Sequence, residues 1–377
     1  MPIRLAVPKE TITNECRIAL EPGVAKKLVD MGVKVMMQKG AALASHFSDE
    51  AFEGVDLVDD AASLYQQADL IFKVQPPTLE ELSQIKNGAV IVGFMAAHKN
   101  ADMIKALCEK NITSLAMELV PRITRAQSMD ALSSQASLAG YMGVLMGAQL
   151  ASVFFPMLTT AAGTIRPARV LIIGAGVAGL QAVATAKRLG AMVEAFDVRS
   201  ATREQIESLG GKFIDTGVSA EGTGGYAREL TDDEKKQQQE VLAKHVAQAD
   251  VIVSTAAIPG RPSPKIITEA MVKEMKVGAV IVDLASEGGG NCELTKPGET
   301  VDYEGRVTIH GPLNVASELP VHASEMYAKN LFNLVSPFIK EGGELELDFE
   351  DEVIAGCVLT HGGEVMAEQY KAEQTND

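Results

Sequence analysis

The chain has 377 residues, of which 46% are hydrophobic and 22% charged, and this composition is ordinary for a globular protein of two or three domains. Its formal net charge of −16 argues against nucleic acid or an anionic membrane surface as the main partner. The four cysteines are scattered without CxxC spacing, which argues against a disulfide framework or a zinc site. The N-terminus MPIRLAVPKE lacks the apolar core of a signal peptide, so a cytoplasmic location is predicted.

Residues 1 to about 135 alternate short apolar runs with helical patterns such as GVAKKLVDMG and ADMIKALCEK. The predicted strands are 3–7, 33–37, 69–74, 89–93 and 113–117. Because strands that alternate with helices form parallel sheets, this region is predicted to be an α/β domain of its own.

The segment 121–135, PRITRAQSMDALSSQ, concentrates polar side chains: two arginines, two glutamines, one aspartate and three serines. Two interpretations remain open. Asp130 and Ser128 are suited to cap the following helix, with the arginines facing solvent. Alternatively, these fork donors and amides lie on the rim of an interdomain cleft and orient a nicotinamide carboxamide.

Residues 131–165 form a run of 35 positions without a charged residue or a histidine. A transmembrane helix needs about 20 mostly large apolar residues. This run is instead rich in Ser, Gln, Thr, Gly and Ala and contains Pro156. It predicts a buried interdomain or intersubunit helix and no direct membrane insertion.

Residues 169–199, RVLIIGAGVAGLQAVATAKRLGAMVEAFDVR, have the pattern of a strand, a glycine turn, a helix and a second strand that ends in an acid. In such a unit Gly174 permits the turn, Gly176 lets the backbone approach a pyrophosphate and Gly179 allows close helix–strand packing. The N–H groups that begin the helix receive the phosphate charge. The segment therefore predicts a dinucleotide site in a Rossmann-like domain.

The acid of this unit is Asp197, which lies 18 residues after Gly179. A carboxylate at this position accepts the ribose hydroxyls and repels a 2′-phosphate, so it favours NAD over NADP. Arg199 favours NADP instead, since an arginine near this point can hold a 2′-phosphate. Because Asp197 is present, we interpret Arg199 as a guanidinium that lies near the adenosine. The predicted nucleotide contacts of this segment are Gly174, Gly176, Val177, Ala178, Gly179, Asp197, Val198 and Arg199.

Further strands are predicted near 192–197, 250–254 and 279–284. The stretch 215–240 is first Gly-rich and then strongly polar, and it is either a solvated surface excursion or a mobile lid. A helix is predicted at roughly 322–335, from which the chain returns to the first domain.

The predicted fold class is α/β, with two Rossmann-like parallel-sheet domains and a cleft between them. The NAD domain, residues 136–319, is predicted to be inserted in the other domain, residues 1–135 and 320–377. No GxSxG, HExxH or P-loop lysine is present, and the six histidines lack metal-ligand spacing. No metal site is therefore predicted.

Over essentially its whole length, the sequence resembles the NAD(H)-binding alpha subunit of proton-translocating nicotinamide nucleotide transhydrogenase. The block at 121–141 is specific to transhydrogenase within its superfamily. The other matching blocks are PKETITNECRIALEP at 8–22, the glycine-turn segment at 159–191, GGYARE at 224–229, IPGRP at 258–262 and VDLASEGGGNCEL at 282–294. The resemblance implies direct hydride transfer between NADH, bound by this chain, and NADP⁺, held by a partner subunit.

The resemblance also implies roles for individual residues. Arg122, Gln127 and Asp130 match the loop that holds the nicotinamide end of NAD(H), and they are the predicted catalytic residues. Gln127 is expected to reach toward the NADP(H) of the partner. Ser133 and Gln135 match positions beside the same nicotinamide.

Other matches lie further along the chain. Tyr226 matches the tyrosine of a mobile loop that closes over the nucleotide, which favours the lid interpretation of 215–240. Gly225, Gln238 and Ala257 match further positions that line the nucleotide site. The family forms homodimers through this component, which assembles with an NADP(H)-binding component and a membrane-spanning subunit. A location peripheral to the inner membrane, through these partners, is the corresponding expectation.

The superfamily also contains alanine dehydrogenase, which shares the first block with Arg17. In that enzyme a Lys-Val-Lys-Glu-Pro segment supplies a catalytic lysine, whereas this chain has Gln75 in place of the second lysine of that segment. The expected histidine is also displaced, with His98 two positions late. Amino-acid oxidation needs a proton acceptor and a carboxylate anchor, so both departures weaken that interpretation. Arg17 is then expected to be structural, and Glu287 has no assigned role.

Three functions are therefore carried forward. The favoured one is the NAD(H)-handling half of a transhydrogenase, in which two nicotinamide C4 atoms approach within about 3–3.5 Å and no general acid or base is needed. Proton translocation belongs to the membrane partner. The others are an NAD-dependent amino-acid dehydrogenase similar to alanine dehydrogenase and a binding module that senses NAD without turnover.

Overall fold

The structure is a computed structural model that describes residues 1–220, 228, 230–257 and 260–371. The chain divides into two compact units. Unit 1 comprises Met1–Gln135 and Ser317–Asp377, and unit 2 comprises Ala136–Ala316.

The strands of the described residues are short, as is usual for parallel sheets. In chain order they are β1 Arg4–Val7, β2 Lys34–Gln38, β3 Asp56–Val58, β4 Leu70–Phe72, β5 Val90–Gly93, β6 Thr113–Ala116, β7 Leu158–Thr160, β8 Gly163–Ile165, β9 Arg169–Ile173, β10 Met192–Phe196, β11 Lys212–Phe213, β12 Val251–Ser254, β13 Ala279–Asp283, β14 Thr300–Tyr303, β15 Val307–His310, β16 Val358–His361 and β17 Glu364–Val365.

Helices connect most of these strands. In chain order they are α1 Pro22–Asp30, α2 Ala61–Gln67, α3 Leu79–Gln84, α4 Ala101–Glu109, α5 Ala131–Leu150, α6 Val177–Arg188, α7 Thr202–Ser208, α8 Asp232–Gln248, α9 Glu269–Lys273, α10 Pro320–Val335, α11 Glu352–Cys357 and α12 Glu368–Lys371. Several begin at side-chain caps, for example α8, where Thr231 and Glu234 form a capping box.

The sheet of unit 1 has the strand order β17-β16-β6-β5-β4-β1-β2-β3. Strands β1 to β6 run parallel to their neighbours, whereas β16 and β17 extend the edge by antiparallel pairing. Helix α10 belongs to the same unit and packs into its apolar core, where Tyr327, Leu331 and Leu334 are fully buried.

The sheet of unit 2 has the strand order β11-β10-β9-β12-β13-β15-β14, and every pair is parallel except β14 with β15. Alternate residues of β9 belong to different apolar clusters, Val170 and Ile172 to one and Leu171 and Ile173 to the other. The strand is thus buried on both faces, which explains its unbroken apolar run. The predicted α/β class with Rossmann-like parallel sheets is confirmed.

The uncharged tract 131–165 is helical only over its N-terminal portion. Helix α5 ends at Leu150, and the tract then forms an exposed antiparallel hairpin of β7 and β8. The prediction of one buried helix is wrong for this second portion, because Pro156 and Gly163 interrupt the helical pattern. Across the described ranges, no helix combines the length and the apolar character needed to cross a membrane.

Candidate functional site

The glycine turn lies where three parallel strands of unit 2 end side by side. Ile173 at the end of β9 is level with Phe196 on β10 and with Ser254 on β12. The chain order reverses here, since β10 lies on one side of β9 and β12 on the other. Ligands of open α/β sheets bind outside the carboxyl ends of strands at such a switch point.

The three predicted glycines have different local reasons to be glycine. Gly174 has a φ of +91°, a conformation that side chains rarely adopt. A Cβ on Gly179 would lie 1.8 Å from the carbonyl oxygen of Gly174, so only glycine lets α6 pack this close to the turn. A Cβ on Gly176 would meet nothing within 4 Å, so its backbone faces open space. The turn therefore leaves an open approach to the N–H groups that begin α6 at Val177 and Ala178.

Two residues that the sequence patterns did not single out hold this turn in place. Gly140 of α5 contacts the first turn of α6, and a Cβ there would lie 2.0 Å from the carbonyl oxygen of Ala178. Thr255, just after β12, donates its hydroxyl proton to the carbonyl oxygen of Gly174 at 3.0 Å. Gly140 lies within the 121–141 block, but the sequence around a helical glycine does not indicate which distant residue it contacts.

Asp197 follows β10 and is buried, with only 7% of its surface exposed. Its Oδ2 accepts hydrogen bonds from the Ala175 N–H at 2.7 Å and from Nη2 of Arg199 at 2.7 Å. Its Oδ1 accepts from the N–H and the Nε of Arg199, both at 2.8 Å. Asp197 thus joins the glycine turn to the end of β10. Val198 is half-buried and accepts the N–H of Ala220 at 2.8 Å through its carbonyl oxygen.

The segment after β12, which contains the predicted contact Ala257, is fastened by the side chain of Asn291. The Asn291 amide accepts the N–H of Ala256 at 3.0 Å and donates to its carbonyl oxygen at 2.7 Å. Ala257 itself is exposed. Asp283 is fully buried and accepts hydrogen bonds from Ser254, Ala285, Cys292 and Thr295, so it fixes the loop that carries Asn291.

Three nucleotide contacts predicted from the resemblance remain, namely Gly225, Tyr226 and Gln238, and the structure describes one of them. Gln238 lies on α8 and is 5% exposed, and its Oε1 is buried without a hydrogen-bond partner among the described residues. Gly225 and Tyr226 lie outside the described residues.

A nicotinamide dinucleotide fits these residues on three observations. The backbone at Gly176 faces open space, a buried carboxylate follows the adjacent strand, and Gln238 has a buried polar atom that a ligand can satisfy. Each of these features belongs to unit 2.

The predicted nicotinamide loop belongs to unit 1. Its core is the 3₁₀ helix Thr124–Met129. Arg122 and Gln127 are exposed. Asp130 accepts hydrogen bonds from the N–H of Ser133 at 2.8 Å and from its hydroxyl at 2.6 Å. Asp130 therefore caps α5, as the helix-capping interpretation of this segment predicts.

The same loop is tied to α10 and α11. Asn330 and Asn333 of α10 both donate to the main-chain carbonyl of Ser128, at 2.9 and 3.1 Å. Arg125 pairs with Asp351, the N-cap residue of α11, at 2.9 Å. The loop that carries Gln127 is therefore held in a fixed shape by these contacts.

Gln135 and Arg17 form a buried network with Glu15. The side-chain oxygen of Gln135 accepts a hydrogen bond from Nη1 of Arg17 at 3.0 Å, and its amide nitrogen donates one to the carbonyl oxygen of Ala323 at 3.1 Å. Glu15 receives the Nε and Nη2 groups of Arg17 at 2.8 and 2.6 Å, and the amide of Gln75 donates to it at 2.6 Å. Burial alone would raise the pKa of Glu15, but its bonds to Arg17 and Gln75 lower it to about 2.

Lys73 is also sequestered in unit 1. Its side chain is 1% exposed and forms ion pairs with Glu81 at 2.7 Å and Glu10 at 3.3 Å. Burial alone would lower the pKa of Lys73, but these two carboxylates raise it above its ordinary value. Lys73 is therefore charged and enclosed, which is unsuited to accepting a proton from a substrate.

Two residues singled out by the resemblance to alanine dehydrogenase also have clear positions. His98 is exposed in a short 3₁₀ helix, Ala97–Lys99. Glu287, which had no assigned role, accepts the N–H of Asn314 at 2.9 Å. Within the described ranges, no group of three or more His, Cys, Asp or Glu side chains is arranged to hold a metal ion.

Comparison with known families identifies matches to both domains of the chain. Residues 6–139 match the family described as "Alanine dehydrogenase/PNT, N-terminal domain". Residues 143–368 match the family described as "Alanine dehydrogenase/PNT, C-terminal domain".

Similar curated proteins and solved structures include both branches of this family. The chain is 46% identical over 376 residues to an NAD(P) transhydrogenase subunit alpha polypeptide of Rhodospirillum rubrum, with 97% of this chain and 98% of that protein covered. It is 31% identical over 311 residues to alanine dehydrogenase of Methanococcus maripaludis, with 81% and 76% covered. The solved structure of a transhydrogenase from Sinorhizobium meliloti matches with a TM-score of 0.87 and 42% identity, over 96% of this chain and 99% of that chain.

Proposed function

The chain belongs to the alanine dehydrogenase/PNT family, and from this premise we propose that it is the NAD(H)-binding component of a proton-translocating NAD(P) transhydrogenase. The observation that carries the proposal is its 46% identity to a transhydrogenase alpha subunit over nearly the full length of both chains. The lower identity of 31% to an alanine dehydrogenase makes that activity the alternative.

The proposed NAD(H) site is the edge of unit 2 around the glycine turn. The N–H groups of Val177 and Ala178 would receive the pyrophosphate, with Gly174, Gly176 and Gly179 providing the space. Asp197, Val198 and Arg199 would surround the adenosine ribose. Gly225, Tyr226, Gln238 and Ala257 would line the rest of the site, as the resemblance implies.

The proposed nicotinamide contacts are Arg122, Gln127, Asp130, Ser133 and Gln135 of unit 1. Asp130 fixes the first turn of α5 and so sets the position of Ser133. Gln135 supports this turn from within unit 1, because its amide is bonded to Arg17 and to the carbonyl of Ala323.

When bound, NAD(H) supplies the hydride that is exchanged with NADP(H) on the partner component. The chain's own work is then to orient one ring and to exclude water, since transfer between rings of similar chemistry needs no proton acceptor. The exposed Gln127 is suited to this task, because it lies on a loop that α10 and α11 hold in place.

The alternative, amino-acid oxidation, conflicts with the groups in unit 1. A substrate carboxylate would need the guanidinium of Arg17, which Glu15 and Gln135 already occupy. A proton acceptor would be needed as well, and Lys73 is enclosed between two carboxylates. Freeing Arg17 from Glu15, or Lys73 from its carboxylates, would leave a buried charge without a partner of opposite sign.

We also propose a homodimer and assembly with an NADP(H)-binding component and a membrane-spanning subunit, at the cytoplasmic side of the inner membrane. The hairpin of β7 and β8 supports the homodimer. An isolated two-stranded hairpin is only marginally stable in water. Near this hairpin Phe154, Met157, Leu158 and Ile165 are between 39% and 67% exposed, so a second copy would cover them.

The test of the nucleotide site uses Gly176→Val. Its backbone is unstrained and its Cβ direction is open, so we expect the substitution to leave the melting temperature unchanged. The added side chain would fill the space proposed for the pyrophosphate, and NADH binding, followed by its fluorescence, should weaken at least about tenfold. Unchanged NADH binding would contradict the proposal, as would reduction of NAD by alanine with the purified chain alone.

A further inference from the structure

A cavity of about 230 Å³ lies beside Asp197, on the side of β11. It is lined by Asp197, Ser200, Arg203, Phe213, Asp215, Thr216, Gly217, Val218 and Ser219. The residues after the second strand of a Rossmann unit are those that distinguish a ribose hydroxyl from a 2′-phosphate. The cavity therefore lies where dinucleotide selectivity is decided, if NAD(H) binds as proposed above.

The first arginine, Arg199, directly precedes the cavity residue Ser200 in the chain and is held by the cavity residue Asp197. The two side chains form a bidentate pair, with Nε–Oδ1 at 2.8 Å and Nη2–Oδ2 at 2.7 Å. The N–H groups of Ala175 and Arg199 take one further position on each oxygen. A carboxylate has about four acceptor positions, so those of Asp197 are filled from within the chain. A ribose hydroxyl can bind Asp197 only where the guanidinium gives up a position.

The second arginine, Arg203, is paired with Asp215 through a single side-chain contact. The two side chains form an ion pair, and the Arg203 guanidinium lies 4.7 Å from the centre of the Phe213 ring. Asp215 also accepts the N–H of Gly217 at 2.9 Å. The Gly217 N–H and the Arg203 guanidinium hold the pKa of Asp215 below its ordinary value, so it is charged at neutral pH.

A buried polar atom at the same cavity has no partner. Thr216 is 4% exposed and lines the cavity, and its Oγ1 has no hydrogen-bond partner among the described residues. Buried hydroxyls are normally hydrogen-bonded, so such an atom indicates a place for a ligand or an ordered water. Ser200, also on the cavity wall, adds a second hydroxyl.

Two guanidiniums and two hydroxyls are the donor set that binds a phosphate monoester. We propose that Arg199 and Arg203 form a 2′-phosphate clamp that Asp197 and Asp215 neutralise, and that these two ion pairs set the preference for NAD(H) over NADP(H). With both carboxylates present, an incoming phosphate meets as much negative as positive charge. Without them it would meet two guanidiniums.

The test measures NADH and NADPH binding by fluorescence titration of the full chain. The variants are Asp197→Asn, Asp215→Asn and the double variant. In each, an amide of the same size replaces the carboxylate, so the Ala175 and Gly217 N–H groups can keep an acceptor. Each arginine that loses its carboxylate should tighten NADPH binding about tenfold, the size of one charge-assisted hydrogen bond. Increasing salt should weaken that gain.

Two controls separate the clamp from a general effect of charge. Asp250→Asn removes a carboxylate of unit 2 that pairs with Lys276 at 2.6 Å and precedes β12, at the opposite end of the strands. It should leave the NADPH to NADH ratio unchanged. Adding Arg199→Ala and Arg203→Ala to the double variant should abolish the gain in NADPH binding.

The outcomes distinguish this inference from the proposed function. If the unsubstituted chain binds NADH but the double variant stays equally selective, the clamp is refuted and the NAD(H) site stands. A gain that persists without the arginines, or that Asp250→Asn reproduces, refutes the clamp as well. If the unsubstituted chain binds neither dinucleotide, both proposals fail. Asp215→Asn alone provides the test if Asp197→Asn does not fold, because the Asp215 side chain is 62% exposed.

Discussion

Replacing Gly140 by alanine should displace the helix that begins the proposed phosphate site. The new Cβ would lie 2.0 Å from the carbonyl oxygen of Ala178 and 2.8 Å from its carbonyl carbon. Non-bonded heavy atoms normally stay about 3.5–4.0 Å apart, so α5 and α6 would have to separate by more than about 1 Å. Both atoms at the closest contact are fixed to helices, so no side-chain rotation relieves it.

The sign of the stability change makes this substitution informative. In an unobstructed helix, glycine to alanine stabilises by about 1 kcal/mol. Overpacking costs about 1–3 kcal/mol, and a backbone contact belongs at the upper end of that range. We therefore expect a net loss of about 2 kcal/mol, equivalent to a fall of roughly 4–8 °C in melting temperature. NADH affinity should fall about tenfold, because the N–H groups of Val177 and Ala178 would move.

Gly143→Ala is the matched control on the same helix. Its Cβ would meet Cδ1 of Leu284 at 2.8 Å, the end of a side chain that can rotate away. Thermal unfolding and NADH titration of both variants should show a smaller loss of stability for Gly143→Ala and unchanged NADH affinity. A Gly140→Ala variant that is as stable as the unsubstituted chain, or that binds NADH equally well, would refute the reasoning.

Three further predictions follow from the charged and exposed groups. Gln127→Asn should slow transhydrogenation in the assembled complex far more than it weakens NADH binding, and equal losses in both assays would count against a positioning role. Glu15→Gln should lower the free energy of unfolding at pH 7 by about 3 kcal/mol, because it leaves the Arg17 charge buried. Since folding lowers the pKa of Glu15 from 4.5 to about 2, its contribution is present above pH 4.5 and is lost as the pH falls toward 2. Urea unfolding at several pH values should therefore show the difference between the two proteins narrowing below pH 4.5. Met157→Asp combined with Ile165→Asp should convert the proposed dimer to a monomer in sedimentation velocity, and a dimer that persists would exclude the hairpin as its interface.

The strands and the glycine turn could be predicted because their causes are local. A parallel strand buried on both faces is a continuous apolar run, and β12 and β13 lie within a residue of their predicted ends. The sequence also identified Gly174, since a sharp turn with positive φ requires glycine. The two sheets confirm the α/β class, and the family matches over residues 6–139 and 143–368 confirm the family resemblance.

What could not be predicted depends on contacts between distant segments. Gly140 is in a helix, where glycine is unfavourable, and its reason is the backbone of Ala178, 38 positions later. Asn291 holds the segment at Ala256 through three hydrogen bonds, two of them to Ala256 itself. No spacing in the sequence announces such pairs, because they are set by tertiary packing.

The charges near the proposed ribose position illustrate the same limit. From the sequence, Asp197 and Arg199 argued for different dinucleotides. The structure pairs them with each other, so the arginine is neutralised by the acid. The two residues that favoured different dinucleotides in the sequence are thus the two partners of one ion pair. Whether Arg122, Gln127 and Asp130 act on the nicotinamide stays a prediction.

The most direct test of the central claim follows hydride transfer between two separately held nucleotides. The purified chain is mixed with the NADP(H)-binding component, NADPH and an NAD analogue whose reduced form absorbs at its own wavelength. We predict reduction of the analogue when both proteins are present and none when either is omitted. Reduction of NAD by alanine with this chain alone, or NADH binding without turnover in any pairing, would contradict the claim.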